Sequence, residues 1–194
     1  MSLLAFLLLH VALTFVWRTV AVRRRTGIDP LVLPAGDDAR AYVGRAFKAS
    51  LLGVALVVAA EAFGTGDGHR LGSMHALDAP VVRTTGWAIL WLSLGWMVVA
   101  QVQMGRSWRI GIDEVHGTEL VTRGLFARSR NPIFLGLRAT MLGLFLVLPC
   151  GATLALGVAA ELLMQVQVRL EEAHLAGLHG DRYADYARRV RRWL

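Results

Sequence analysis

The residues best equipped for chemistry lie in the C-terminal half of the chain. Arg123, Arg128 and Arg130 stand just ahead of Asn131-Pro132, behind which an apolar run begins. Proline suits the first turn of a helix, where its missing N–H is not needed. The residue before it is pushed out of helical angles, so Asn131 is read as the cap of a helix opening at Pro132. Arginines beside the positive end of a helix dipole can receive an anionic group. They serve equally well as the basic flank that orients a membrane helix. Further along stand an acidic pair, Glu171-Glu172, and then Tyr183, Tyr186 and Arg189. His69 and His75 lack the spacing of helical metal ligands and have no carboxylate cluster beside them, so no metal site is read there.

The elements that must hold these residues are helices in a membrane. The chain has 194 residues, 55% of them hydrophobic, with one lysine and a net charge of +7. Mean hydropathy is +0.49. These values suit a small polytopic membrane protein with one domain, 1–194. The basic charge falls in short segments between apolar runs, the pattern of membrane topology rather than of nucleic-acid binding. The single cysteine, Cys150, excludes an internal disulfide and a cysteine-based zinc cluster.

Five apolar spans are read, at about 2–22, 44–64, 83–104, 132–149 and 151–170. Arginines concentrate in the first connection (Arg23, Arg24, Arg25), in the third (Arg106 to Arg130) and after the fifth span. The second connection and its edges hold only Arg70 and Arg83. Alternation with five spans then puts 105–131 and 171–194 in the cytoplasm and the N-terminus outside. The first span carries its charges after the apolar run, so it is read as a retained helix of the cell membrane rather than a signal peptide.

The fourth and fifth spans are joined at Cys150 by almost nothing, which predicts a tight antiparallel hairpin. That hairpin brings Arg138 level with Glu161 or Leu162, and Arg130 level with the start of the tail beside Glu171, in a cluster with Glu171 and Glu172. An Arg138–Glu161 ion pair inside the membrane is expected, its plain role being to fix hairpin register. In the 171–194 tail, Tyr183, Tyr186, Val190 and Trp193 share one helical stripe, with Arg182, Asp185, Arg189 and Arg192 on the next. That pattern predicts a C-terminal amphipathic helix at the membrane surface.

Three motifs now stand in order: T-x-L-V-T-x-G-L-F-x-x-x-R-N-P-x-F from Thr118, the pair Glu171-Glu172, and G-x-x-Y-x-x-Y-x-x-R-V from Gly180. The chain from Met104 onward resembles the isoprenylcysteine carboxyl methyltransferases and the related phospholipid N-methyltransferases. These are all-α integral-membrane enzymes that use S-adenosylmethionine. The resemblance implies a cofactor site lined by Leu120, Val121, Gly124, Leu125, Phe126, Arg130, Asn131, Pro132, Phe134, Glu171, Tyr183 and Tyr186. It implies catalytic roles for Glu172 and Arg189. Asn131 stands where the family has His and Phe134 where it usually has Tyr, so the family's hydrogen bond is not assumed from either position.

Glu171 or Glu172 would hold the cofactor ammonium and Arg130 its carboxylate. Arg189 would orient a carboxylate acceptor, or Glu172 would take the proton of an amine acceptor. The partners implied are the lipid bilayer and a lipid-like or prenylated acceptor, with no metal and no nucleic acid. Two other readings compete: an NADPH-dependent membrane reductase of related architecture, and a non-catalytic membrane protein. No Gly-rich nucleotide loop follows a strand, which argues against a soluble Rossmann methyltransferase.

Overall fold

A computed structural model describes residues 2–31, 36–64, 72–111 and 118–194. His69 and Arg70 lie outside the described residues. Regular structure among those described is helical, with two isolated β-bridges. Helices α1 (Leu3–Val11) and α2 (Arg18–Thr26) flank a π-helical turn, Ala12–Trp17, and together form one 24-residue rod. Then come α3 (Ala39–Phe63), α4 (Pro80–Met104), α5 (Pro132–Val147), α6 (Gly151–His179) and α7 (Asp181–Arg189).

Four helices, Leu3–Thr26, Ala39–Phe63, Pro80–Ser107 and Gly151–His179, are long and apolar enough to cross a membrane. The apolar helix at the expected fourth span, α5, has 16 residues. That is about 24 Å of helix at 1.5 Å per residue, set against a hydrocarbon core of about 30 Å.

Helix boundaries depart from the expected ones for local reasons. The Asp38 carboxylate accepts from Ala41 N at 2.8 Å, and this cap starts α3 well before Gly44. Pro80 opens α4 from its first position, ahead of Arg83. Nothing stops α6 at Leu170. It runs through Glu171-Glu172 to His179 and ends at Gly180, whose φ of 52° lies in the region that glycine enters at least cost. The stretch 171–194 is therefore the end of one helix, a joint and a short second helix, not a single tail.

The tightest crossing pairs α4 with α5. A Cβ on Gly86 would lie 2.8 Å from Val147 N and 2.9 Å from the Gly143 carbonyl, so only glycine lets the backbones approach this closely. Within the same interface Ser93 Oγ meets Thr140 Oγ1 at 2.9 Å, and Trp96 Nε1 donates to the Pro132 carbonyl at 2.8 Å. Phe6, Leu90, Leu94 and Val147 form the core beside it.

The α5–α6 hairpin forms as expected. Cys150 N donates to Thr153 Oγ1, which lies 2.7 Å from the Leu148 carbonyl. Cys150 itself is buried and structural in this turn. The first rod is tied to α4 by polar contacts. Gln101 Nε2 donates to the carbonyl of Thr14 in the π-helical turn at 3.1 Å. Arg18, 2% exposed, donates to the Gly105 carbonyl and lies 5.8 Å from the Trp108 ring centroid.

Candidate functional site

Arg130 is the hub of the C-terminal half. Its Nε and Nη2 donate to the Glu172 carboxylate at 3.2 Å, and its Nη1 to the carbonyls of Ala187 and Val190 at 2.8 and 3.0 Å. Its own backbone N–H donates to the Arg191 carbonyl at 2.9 Å. Both side chains of the Arg130–Glu172 pair are about one-eighth exposed, at 13% and 12%. Arg192 closes the carboxylate from the other side, with Nη2 to Oε2 at 2.7 Å. That hydrogen bond to Glu172 raises the Arg192 pKa and keeps the guanidinium charged.

Three expectations change here. Asn131 holds the cap position of α5 but its side chain caps nothing; Nδ2 donates instead to Glu172 Oε1 at 3.0 Å and to the Arg192 carbonyl at 3.3 Å. Of the expected cluster of Arg130 with Glu171 and Glu172, the pair with Glu172 forms and that with Glu171 does not, because adjacent residues on a helix point about 100° apart. Glu171 accepts from Gln167 Nε2 at 3.0 Å, and its second oxygen has no partner among the described residues. The amphipathic helix ends at Arg189, and Val190 is extended, with φ −119° and ψ 130°. Val190 and Trp193 therefore do not continue the tyrosine stripe. The extended segment turns its carbonyls toward Arg130 and Asn131 and swings Arg192 inward. Arg189 stays exposed on α7, donating to the Asp185 carbonyl of its own helix, and is not brought to Glu172.

The two tyrosines face inward, 6% and 3% exposed, and behave differently. Tyr186 donates to the Phe126 carbonyl at 2.7 Å and so pins α7 to the loop before α5. The Tyr183 hydroxyl is buried and has no hydrogen-bond partner among the described residues. Burial pushes both phenols up to about 12, so each is a neutral donor at neutral pH and not a base.

The loop itself is held by a residue the sequence reading passed over. Gln103, at the end of α4, accepts from Leu125 N at 2.7 Å. A Cβ on Gly124 (φ +64°) would collide with the same carboxamide at 2.4 Å. The positive φ favours glycine at 124, and a Cβ there would displace the Gln103 carboxamide from Leu125 N. Phe126 N donates to the Arg123 carbonyl at 3.2 Å, so the N–H groups at 125 and 126 are spent within the protein. Leu120, Val121 and Phe134 are partly buried, Pro132 is buried, and Arg123 and Arg128 are exposed.

Two turns further along α5, the expected pair is present: Arg138 Nε donates to Glu161 Oε2 at 2.8 Å. The pair sits on the wall of an apolar groove of about 880 Å³ between α4, α5 and α6, lined by Leu135, Leu142, Phe145 and Val158 among others. Trp193 stacks on the Arg138 guanidinium, 4.5 Å from ring centroid to Cζ, and Leu194 lines the groove. The last residues of the chain thus touch both the Glu172 cluster and the groove. Gln103 and Ser129 had no helix-periodic signal, and the period that Arg192 shares with Arg189 pointed it outward; only the long-range packing reveals the three.

A family model described as phospholipid methyltransferase matches residues 81–182. No curated protein sequence matches the chain. A solved structure of a eukaryotic intramembrane Ras methyltransferase, an isoprenylcysteine carboxyl methyltransferase, is similar over 93% of this chain, with a TM-score of 0.58 and 16% identity. The match covers 63% of that structure's own chain. At this identity the likeness concerns the fold.

Proposed function

Because the chain belongs to the phospholipid methyltransferase family and shares the fold of an isoprenylcysteine carboxyl methyltransferase, we propose that it transfers a methyl group from S-adenosylmethionine to a lipid-like acceptor. Reaction takes place at the cytoplasmic face of the cell membrane. In this reading α5 is a fifth crossing, the N-terminus is outside, and one domain spans the chain. The observation that carries the reading beyond family membership is the cluster of Arg130, Glu172 and Arg192 with the partnerless Tyr183 hydroxyl beside it.

The residues suit a zwitterionic cofactor bearing a sulfonium. Among the described residues, three polar groups here lack partners: Tyr183 Oη, one Glu171 oxygen and Arg192 Nη1. Glu171 would hold the ammonium, while Arg192 and Tyr183 would hold the carboxylate. Leu120, Val121, Gly124, Leu125, Phe126, Pro132 and Phe134 would form the wall. Arg130 spends its donors inside the protein, so its part is to hold Glu172, and with Tyr186 and Asn131 it keeps the wall in place.

When bound, S-adenosylmethionine supplies a methyl group on a positively charged sulfur, open to in-line displacement. That reaction needs little proton transfer, so the chain's contribution is positioning and exclusion of water. Burial raises the Glu172 pKa, but the hydrogen bond from Arg192, the Arg130 charge and Asn131 together lower it, so beside an amine acceptor it would act as a fixed negative charge that orients the N–H rather than as a strong base. Arg189, exposed at the edge of α7, would meet an acidic acceptor head as it approaches.

S-adenosylhomocysteine at 100 times its Kd is expected to stabilise the purified protein by about 2.7 kcal/mol, read as a thermal shift in detergent. No shift with this ligand, alongside one with NADPH, would overturn the reading in favour of a reductase. The tyrosines give a paired expectation. Tyr186→Phe costs about 1 kcal/mol of stability by losing its bond to Phe126. Tyr183→Phe leaves melting without ligand unchanged and weakens S-adenosylhomocysteine binding roughly tenfold, measurable by calorimetry. Equal behaviour of the two variants would refute the distinct roles.

A further inference from the structure

The Arg138–Glu161 pair has an imbalance that register-keeping leaves unexplained. Glu161 is served at both oxygens, by Arg138 Nε and by Gln165 Nε2 at 2.7 Å. Arg138 donates through Nε alone; among the described residues neither terminal nitrogen has an acceptor. Both side chains are about one-third exposed, at 34% and 36%, and both line the groove. A groove wall in hydrocarbon offers no water to these donors, and open N–H groups there carry a free-energy cost.

Trp193 covers one face of the guanidinium, which leaves its terminal edge as the open side. That edge presents two parallel N–H donors, the arrangement that binds a phosphate or carboxylate in bidentate fashion. The remainder of the groove is apolar, and its volume falls within the roughly 300–1,000 Å³ of small-molecule sites. A ligand matching both surfaces is an amphiphile with an oxyanion.

Depth separates this position from the reacting centre. Arg138 lies two turns along α5 from Asn131, about 10 Å at 1.5 Å per residue. An oxyanion at Arg138 and a methyl-accepting atom beside Glu172 are therefore different parts of a ligand.

We propose that the groove binds a bilayer lipid through an oxyanion seated on the terminal edge of Arg138, two turns deeper than the Glu172 cluster. The lipid's hydrocarbon lies along Leu142, Phe145 and Val158. Arg138 thereby selects acceptors that carry an anionic group at a distance from the methylated atom, and a bare hydrocarbon chain leaves its donors open. The selective role rests on the methyl-transfer reading, whereas the binding does not require it.

The test is quenching of tryptophan fluorescence by brominated amphiphiles, with protein in a neutral sugar detergent; Trp96 lines the groove and Trp193 stacks on Arg138. The probes are 9,10-dibromostearate, the phosphate monoester of the corresponding dibrominated alcohol, and the uncharged methyl ester of dibromostearate. The two anionic probes are expected to quench at concentrations at least tenfold below the ester. The double variant Arg138→Met/Glu161→Gln removes both charges together, so it leaves no unpaired carboxylate to unfold the hairpin. It is expected to abolish the acid preference while the ester curve stays in place. Equal quenching by acid and ester in the native protein overturns the proposal, as does an acid preference that survives in the double variant. Displacement of the acid probe by millimolar inorganic phosphate would also overturn it, as a soluble-anion site. No cofactor takes part, so loss of this preference leaves the S-adenosylhomocysteine shift standing, and loss of that shift leaves the preference standing.

Discussion

Glu172→Gln is expected to lower methyl transfer about 100-fold, the scale of loss when reacting groups are misplaced by an ångström. The same variant should lose roughly 3 kcal/mol of stability, because removing one partner of a buried pair leaves charge uncompensated. Arg130 and Arg192 both point at this carboxylate, and Asn131 donates to it as well. A neutral amide offers one acceptor oxygen where the carboxylate offers two and turns an NH2 donor toward one of the guanidinium groups, so the extended segment after α7 loosens from the start of α5. Rates taken below the variant's melting temperature separate the catalytic loss from the structural one. Glu171→Gln supplies the contrast: cofactor affinity falls while melting without ligand stays near native. Glu172→Gln with native turnover and native melting would remove the cluster from both the mechanism and the fold.

The second large effect lies at the helix crossing. Gly86→Val should cost at least about 3 kcal/mol, the upper range for overpacking, and abolish activity. The new Cβ meets main-chain atoms, Val147 N and the Gly143 carbonyl, which cannot rotate aside. Separating α4 from α5 also pulls Trp96 from the Pro132 carbonyl and Gln103 from the loop at Leu125. Gly95 provides the control, since a Cβ there meets nothing within 4 Å; Gly95→Ala should melt like the native protein. Equal melting of Gly86→Val and Gly95→Ala would refute the close crossing.

How much of this was legible in the sequence follows from the range of each interaction. The hairpin was readable because the turn at Cys150 is so short that helical geometry alone sets the level of Arg138 and Glu161. The methyltransferase resemblance was readable because its motifs are local. Arg192 was not: helix continued through the tail places it on the outward stripe, and only the extended backbone at Val190 turns it inward. Asn131 looked like a cap because position favours one, yet its amide found stronger acceptors in Glu172 and a carbonyl from the far end of the chain. Asp38 lies ahead of the expected second span at 44–64, yet a carboxylate just before a long apolar run is itself a helix start. The π-helical turn leaves no mark in the apolar period of the first span.

Arg18 bears on the order in which the chain is built. It lies inside the first span, and its acceptor, the Gly105 carbonyl, is 87 positions later. An arginine at the centre of a span costs about 2.5–3.5 kcal/mol on insertion scales, and less toward the end, where Arg18 stands ahead of Arg23. While the ribosome has delivered only the first helix, the side chain is expected to snorkel and hold the young helix nearer the headgroups, with its guanidinium in water. Arrival of α4 brings the carbonyl and the Trp108 ring, and the first helix can then seat at full depth. Maturation of this protein thus waits on its third hydrophobic segment, and a chain stalled before Gly105 would hold its first helix shallowly enough to be extracted by alkali.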